Sequence, residues 1–227
     1  MTRARGTFEV AAEAGGKVSC LSLVPEDAIA LLVMGHGAGA GMQHPGMETL
    51  ATGLAAQGIA TFRYQFPYME QGRRFPDPLA LRLATVGAAI EEAARLHPEL
   101  PLLAGGRSMG ARMSSTWVAE NPGSRVAGLV FFAFPLHPPD KPGTARARHL
   151  NDLDIPMLFL QGTRDKLADL DYLHPVCERL GERARLHIVE GGDHSFAVLK
   201  RSGRDPDEVF EELGDTIQRW TGAIVER

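Results

Sequence analysis

Leu100-Pro101-Leu102-Leu103-Ala104-Gly105-Gly106-Arg107-Ser108-Met109-Gly110 joins a short apolar run to a glycine-flanked serine, and its reading decides the fold. The run Leu100 to Ala104 has the length and continuity of a strand buried on both faces, and the spacing predicts a helix from Met109. Gly106-x-Ser108-x-Gly110 is then a sharp strand-to-helix turn that lifts the serine out at the carboxyl end of a strand, the glycines relieving crowding around it. A glycine-rich turn with an incidental serine fits the five residues alone. The strand before and the helix after favour the elbow.

Outward from this turn, short apolar runs alternate with segments of helical period, the pattern of a mostly parallel sheet with helices on both faces. Ile29 to Met34, Ile59 to Tyr64, Leu100 to Ala104, Val126 to Phe134, Pro156 to Leu160 and Leu186 to Val189 read as central strands. Val18 to Val24 alternates and is expected to pair with Thr7 to Val10 as an antiparallel edge. Met47, Leu50 and Leu54 share one helical stripe that ends near Gly58. Leu79, Leu83, Val86 and Ile90 form a second, opened by Asp77 as N-cap and Pro78 at the first helical position. Asp205 and Pro206 open a last helix carrying Phe210, Leu213, Ile217 and Trp220. The connection from Pro135 to Ile155 is broken by Pro138, Pro139 and Pro142, which leaves little room for a large lid.

A serine hydroxyl becomes a useful nucleophile only when a base takes its proton, so the elbow requires a histidine, itself oriented by an acid. On such a sheet the chain order is serine, acid, histidine. Gln161-Gly162-Thr163-Arg164-Asp165 follows one strand and Glu190-Gly191-Gly192-Asp193-His194-Ser195 follows the next, which makes Asp165 and His194 the candidates. Asp169 and Asp171 fall at or inside the following helix and read as its N-terminal charges. His187 lies within a strand, His174 on a helix, and Asp193 reads as a turn residue.

The loop Gly35-His36-Gly37-Ala38-Gly39-Ala40-Gly41 follows an earlier strand and is expected to supply a backbone donor for an oxyanion. Ala38 is the first choice for that donor, with Gly37 beside it, and Met109 N–H is the second donor. Gly35-x-Gly37-x-x-Ala40 also matches a dinucleotide fingerprint, but His44-Pro45 delays the helix and no acid ends the next strand. Neither Gly-Lys-Ser/Thr, His-Glu-x-x-His nor Cys-x-x-Cys occurs, so no cofactor or metal is expected. His36 reads as a structural residue beneath the site.

Composition sets the outer limits. A chain of 227 residues, 44% hydrophobic, fits one domain over residues 1–227, burying roughly 70% of its unfolded surface. A net charge of −4 with no basic run argues against nucleic acid and anionic membranes as partners. Met1 to Val10 has no apolar core of a leader and no stretch approaches a membrane span, so a cytoplasmic location is expected. Cys20 and Cys177 read as two buried free thiols.

With elbow, acid, histidine and oxyanion loop in order, the chain resembles the α/β-hydrolase superfamily over essentially its full length. His36-Gly37-Ala38-Gly39, Phe66-Pro67-Tyr68, Gly105 to Gly110 and Pro135-Leu136-His137-Pro138 are similar to the small, lidless, dienelactone-hydrolase-like branch, which is related to a subunit of the NSL histone-acetyltransferase complex. The resemblance implies a sheet of eight strands or slightly fewer, and a Ser108–Asp165–His194 triad acting on a small-molecule acyl substrate. It departs after Asp165, where Lys166-Leu167-Ala168 stands in place of the Pro-Phe-Gly of similar proteins, so a different arrangement of the acid loop is expected. Tyr68 and Arg107 are candidate substrate contacts, with Arg73 and Arg74 nearby, against the simpler reading of solvated loop residues. A scaffold or binding protein that keeps this fold without turnover is the alternative from another class.

Overall fold

The computed structural model describes residues 1–13 and 15–225. Eight strands form one sheet in the order β1-β2-β4-β3-β5-β6-β7-β8. β1 (Thr2–Val10), β2 (Gly16–Val24) and β4 (Ile59–Tyr64) pair antiparallel in succession. From β4 onward every neighbour is parallel: β3 (Ala30–Gly35), β5 (Leu102–Arg107), β6 (Val126–Phe132), β7 (Met157–Gly162) and β8 (Ala184–Val189). Parallel strands must be joined by crossovers, and the apolar stripes of the helices supply them.

The helices divide between the two faces. Met47, Leu50 and Leu54 of α1 (Pro45–Ala56) share a core layer with Val209, Leu213 and Ile217 of the last helix. On the other face, Leu83, Val86 and Ile90 of α3 (Leu79–Leu96) pack with Met113 and Val118 of α4 (Met109–Glu120) and with Leu173 and Val176 of α5 (Leu170–Leu180). A single turn, α2 (Pro67–Glu70), follows β4, and α6 spans Pro206–Val225. No helix among the described residues is long and apolar enough to cross a membrane.

Several boundaries differ from the sequence reading. β1 begins at Thr2 instead of Thr7, because its whole length pairs with β2. β5 does not stop at Ala104 but continues through both glycines to Arg107. β6 ends at Phe132, since Ala133 turns to φ 55°. Asp77 is not the N-cap of α3. Pro78 occupies that position, and the buried Asp77 carboxylate instead accepts from Tyr68 N–H and pairs with Arg73. Cys20 is buried as expected, whereas Cys177 is only half-buried; both are free thiols. The connection after β6 holds one short 3₁₀ segment, Ala145–Asp152, and no lid.

The sheet and α4 meet through glycine backbone. A Cβ at Gly110 would lie 2.1 Å from Gly35 O, and one at Gly106 the same distance from that oxygen. Both contacts are with the backbone of a central strand, which has no room to yield. Gly110→Ala is therefore expected to destabilise by on the order of 3 kcal/mol or more, beyond an ordinary overpacked side chain. Urea denaturation followed by circular dichroism measures it.

Candidate active site

Ser108 sits between the last residue of β5 and the first of α4 with φ 51° and ψ −110°, a conformation that costs a non-glycine residue about 1–3 kcal/mol. The surroundings impose it. Ser108 N–H donates to Phe132 O at the end of β6 (2.9 Å), and Ser108 O accepts from Arg112 N–H in the first turn of α4 (3.1 Å). Both backbone groups are thus tied to fixed elements, which leaves the hydroxyl pointing away from the sheet.

Two further strand ends bring the acid and the histidine to it. Asp165 lies in the turn after β7 with its side chain wholly buried, and His194 lies in the loop after β8. His194 Nδ1 is 2.7 Å from Asp165 Oδ2, and His194 Nε2 is 2.9 Å from Ser108 Oγ. With the carboxylate on Nδ1, the neutral ring carries its proton there and offers Nε2 as acceptor to the serine hydroxyl. Asp165 is itself held from two sides: Oδ2 accepts from Gln161 Nε2 at 2.5 Å and Oδ1 from Leu167 N–H at 2.8 Å. Gly162 lets the two loops approach, since a Cβ there would lie 2.2 Å from Gly192 O.

The other acidic candidates take the structural roles expected of them. Asp169 caps α5 by accepting from Asp171 N–H. Asp193 accepts from Ser195 N–H and Ala197 N–H and so shapes the histidine loop, in which Phe196 is buried at φ 62°. After Asp165 the chain turns tightly, and His137 ties it down by donating its own N–H to Leu167 O and accepting from Asp169 N–H on Nε2.

The loop after β3 closes the opposite side. A cavity of about 290 Å³ opens at Ser108 and His194, lined by Gly37 to Ala40, His44, Met47, Arg107 and Ser195. Ala38 N–H has no backbone partner among the described residues, and Met109 N–H, at the first position of α4, has none within its helix. Arg107 lines the cavity and donates to Ser195 Oγ at 2.5 Å. Tyr68 does not line it. Its ring is fully buried and its hydroxyl donates to Ala38 O at 2.8 Å, so it braces the loop from below instead of reaching a substrate. Arg73 is held by Asp77, and Arg74 is exposed. Among the described residues no group of three His, Cys, Asp or Glu side chains is placed to hold a metal ion.

His36 underlies the same loop. Its Nε2 accepts from Phe66 N–H at 3.1 Å, which leaves Nδ1 to donate to Gly37 O at 2.8 Å. Residues overlooked in the sequence include Gln161, His44 and Met47. Gln161 had a legible signal: a buried amide at a strand end, four residues before the acid, wants a charged partner.

Three strand-end loops converge on a serine held on a strained strand-to-helix turn of a parallel sheet, the geometry of a hydrolase elbow. The alpha/beta hydrolase domain family model matches residues 28–222, and the chain belongs to that family. Solved structures share the architecture. A dienelactone hydrolase from Anabaena variabilis superposes with TM-score 0.75 at 18% identity over 98% of both chains. A serine hydrolase without a lid from Xanthomonas campestris gives 0.74 at 19%, covering 97% of this chain and 95% of that one. A serine hydrolase homologue from Coxiella burnetii gives 0.75 at 18% over 96% and 97%.

Burial pushes the His36 imidazole down from 6.5 to about 4. A histidine buried neutral contributes stability in full above its unfolded pKa and loses it as pH falls from 6.5 toward 4, because the unfolded chain binds the proton first. The cost is on the order of 1–2 kcal/mol by pH 5. His36→Gln should flatten that part of the stability–pH curve, as read from urea midpoints between pH 4 and 8.

Proposed function

We propose that the protein is a serine hydrolase that cleaves a small acyl ester, thioester or lactone through an acyl-enzyme. One observation carries this reading: the unbroken line of hydrogen bonds from Asp165 Oδ2 through His194 to Ser108 Oγ. Ser108 Oγ attacks the substrate carbonyl carbon while its proton passes to His194 Nε2. The imidazolium that forms is stabilised by Asp165, whose bonds to Gln161 and Leu167 N–H keep it pointed at Nδ1. The negative charge on the carbonyl oxygen falls to Ala38 N–H and Met109 N–H, each donor contributing about 3 kcal/mol to the transition state.

His194 then returns the proton to the leaving oxygen or sulfur, and the acyl group remains on Ser108. In the second half His194 takes a proton from water, which attacks the acyl carbon, and Ser108 is released with its hydrogen. The strained backbone of Ser108 supports the same role, since a turn of this kind is maintained where it presents a reacting atom. The small cavity and the lid-free connection after β6 suit a short acyl group in an open groove.

A fluorophosphonate probe should label the wild type and not Ser108→Ala, which is expected to lose turnover by on the order of 10⁶ while remaining folded. Asp165→Asn should lower kcat by roughly 10⁴ through the wrong imidazole tautomer. Asp169→Asn, at a helix cap, should leave kcat within a few-fold. Retained labelling in the serine variant, or the reverse order of the two aspartates, removes the assignment.

Acyl-chain preference follows from the groove. Each CH₂ contributes about 0.8 kcal/mol only when it is covered. For p-nitrophenyl esters below their micellar concentration, kcat/KM should peak between acetate and butyrate and fall by octanoate. A steady rise through decanoate would require a deep apolar tunnel.

A further inference from the structure

Away from the cavity, three arginines on three neighbouring elements have no side-chain partner among the described residues. Arg82 lies in the first turn of α3, Arg112 in the first turn of α4 just after Ser108, and Arg146 in the 3₁₀ segment Ala145–Asp152. Both α3 and the 3₁₀ segment pack against α4. A clasp sets the register of the second contact: His149 Nε2 is 2.8 Å from Ser115 Oγ and 3.4 Å from Thr116 Oγ1. Both hydroxyls already donate to Arg112 O, so the ring N–H is the donor. Arg146 precedes His149 by three residues and Arg112 precedes Ser115 by three, so each arginine lies one turn before the clasp on its own element.

None of the three guanidiniums makes a salt bridge or hydrogen bond to another described residue, and Nε of both Arg82 and Arg112 is buried without a partner. All three side chains remain partly open to solvent. The nearby acid, Asp77, is engaged by Arg73 and by Tyr68 N–H. Burial, and then the positive charges of Arg146 and Arg82, push the Arg112 guanidinium down, while Asp77 acts on Arg82 in the opposite sense. Crowded like charges with buried, unmatched donors are costly unless something anionic completes them.

We propose that Arg82, Arg112 and Arg146 form a binding site for a phosphate group. A carboxylate meets a guanidinium fork edge-on within its own plane, whereas a tetrahedral oxyanion presents oxygens toward forks that arrive from several directions. The site begins one helical turn from Ser108, on the side of α4 that faces the connection after β6. It accepts either free phosphate or the phosphate of an organic monoester. The inference does not depend on the hydrolase reading, because it is tested by binding.

The purified full chain, in a phosphate-free buffer of low ionic strength, is titrated with inorganic phosphate and separately with phenyl phosphate, and followed by thermal unfolding and calorimetry. The expected result is a saturable rise in Tm that chloride at equal ionic strength does not reproduce. Arg112→Gln and Arg146→Gln should each weaken binding roughly tenfold or more, the loss of one charge-assisted contact. Arg125→Gln, outside the cluster, should bind like the wild type. Tighter binding of phenyl phosphate assigns the site to a phosphate monoester, and equal or weaker binding assigns it to free phosphate. The absence of any phosphate-specific shift overturns the proposal, as does undiminished affinity in both folded variants. Fluorophosphonate labelling of the same samples reports independently on Ser108, so failure of one reading is distinguishable from failure of the other.

Discussion

Gly35 and Gly110 lie back to back, with a Cβ on Gly110 falling 2.1 Å from Gly35 O and one on Gly35 falling 2.9 Å from Gly110 Cα. This backbone contact between a central strand and the first turn of α4 is the constraint on which the rest depends. It brings the helix directly onto the sheet, forces the chain to reverse within one residue, and so places Ser108 at φ 51°. The strain is offset by bonds to β6 on one side and to α4 on the other. A larger residue at either glycine would lift the helix, and the serine hydroxyl would leave the plane in which His194 waits.

The second strand-end junction repeats this logic with different chemistry. Gly162 admits the loop after β8 against the end of β7, and Asp165 and His194 meet across that contact. The carboxylate is removed from water entirely, yet three donors surround it: Gln161, Leu167 N–H and His194. A buried carboxylate so satisfied is held stationary, which is what an orienting acid requires. The loop after β3 is stiffened from beneath by neutral His36 and by Tyr68. Each face of the cavity is thus braced by groups that never reach it.

How far the sequence foretold this varies with the kind of interaction. The order of strands and helices and the strand-end positions of Ser108, Asp165 and His194 are legible, because each depends on local periodicity or on a short glycine pattern. The roles of Tyr68 and Asp77 were not. Tyr68 looked like a substrate contact because it sits in a polar, proline-bounded loop, and Asp77 looked like a helix cap because Pro78 follows it. Both were claimed by longer-range partners, Ala38 O in one case and Tyr68 N–H with Arg73 in the other. Gln161 carried a weaker signal, a buried strand-end amide four residues before an acid, which only the turn after β7 makes into a contact with Asp165.

The sequence by itself determined that this chain forms a parallel sheet with crossover helices and which serine, aspartate and histidine stand at its strand ends. Hydrophobic period and backbone sterics act over a few residues and leave their mark in the linear text. Only the tertiary structure decided which polar groups find each other across the sheet, that Arg107 lines the cavity while Tyr68 lies beneath it, and that the buried Nε atoms of Arg82 and Arg112 are left without partners. Those outcomes turn on how strands and helices are placed relative to one another. The geometry of a hydrogen bond or an ion pair is set by that placement, over separations at which the sequence carries no period.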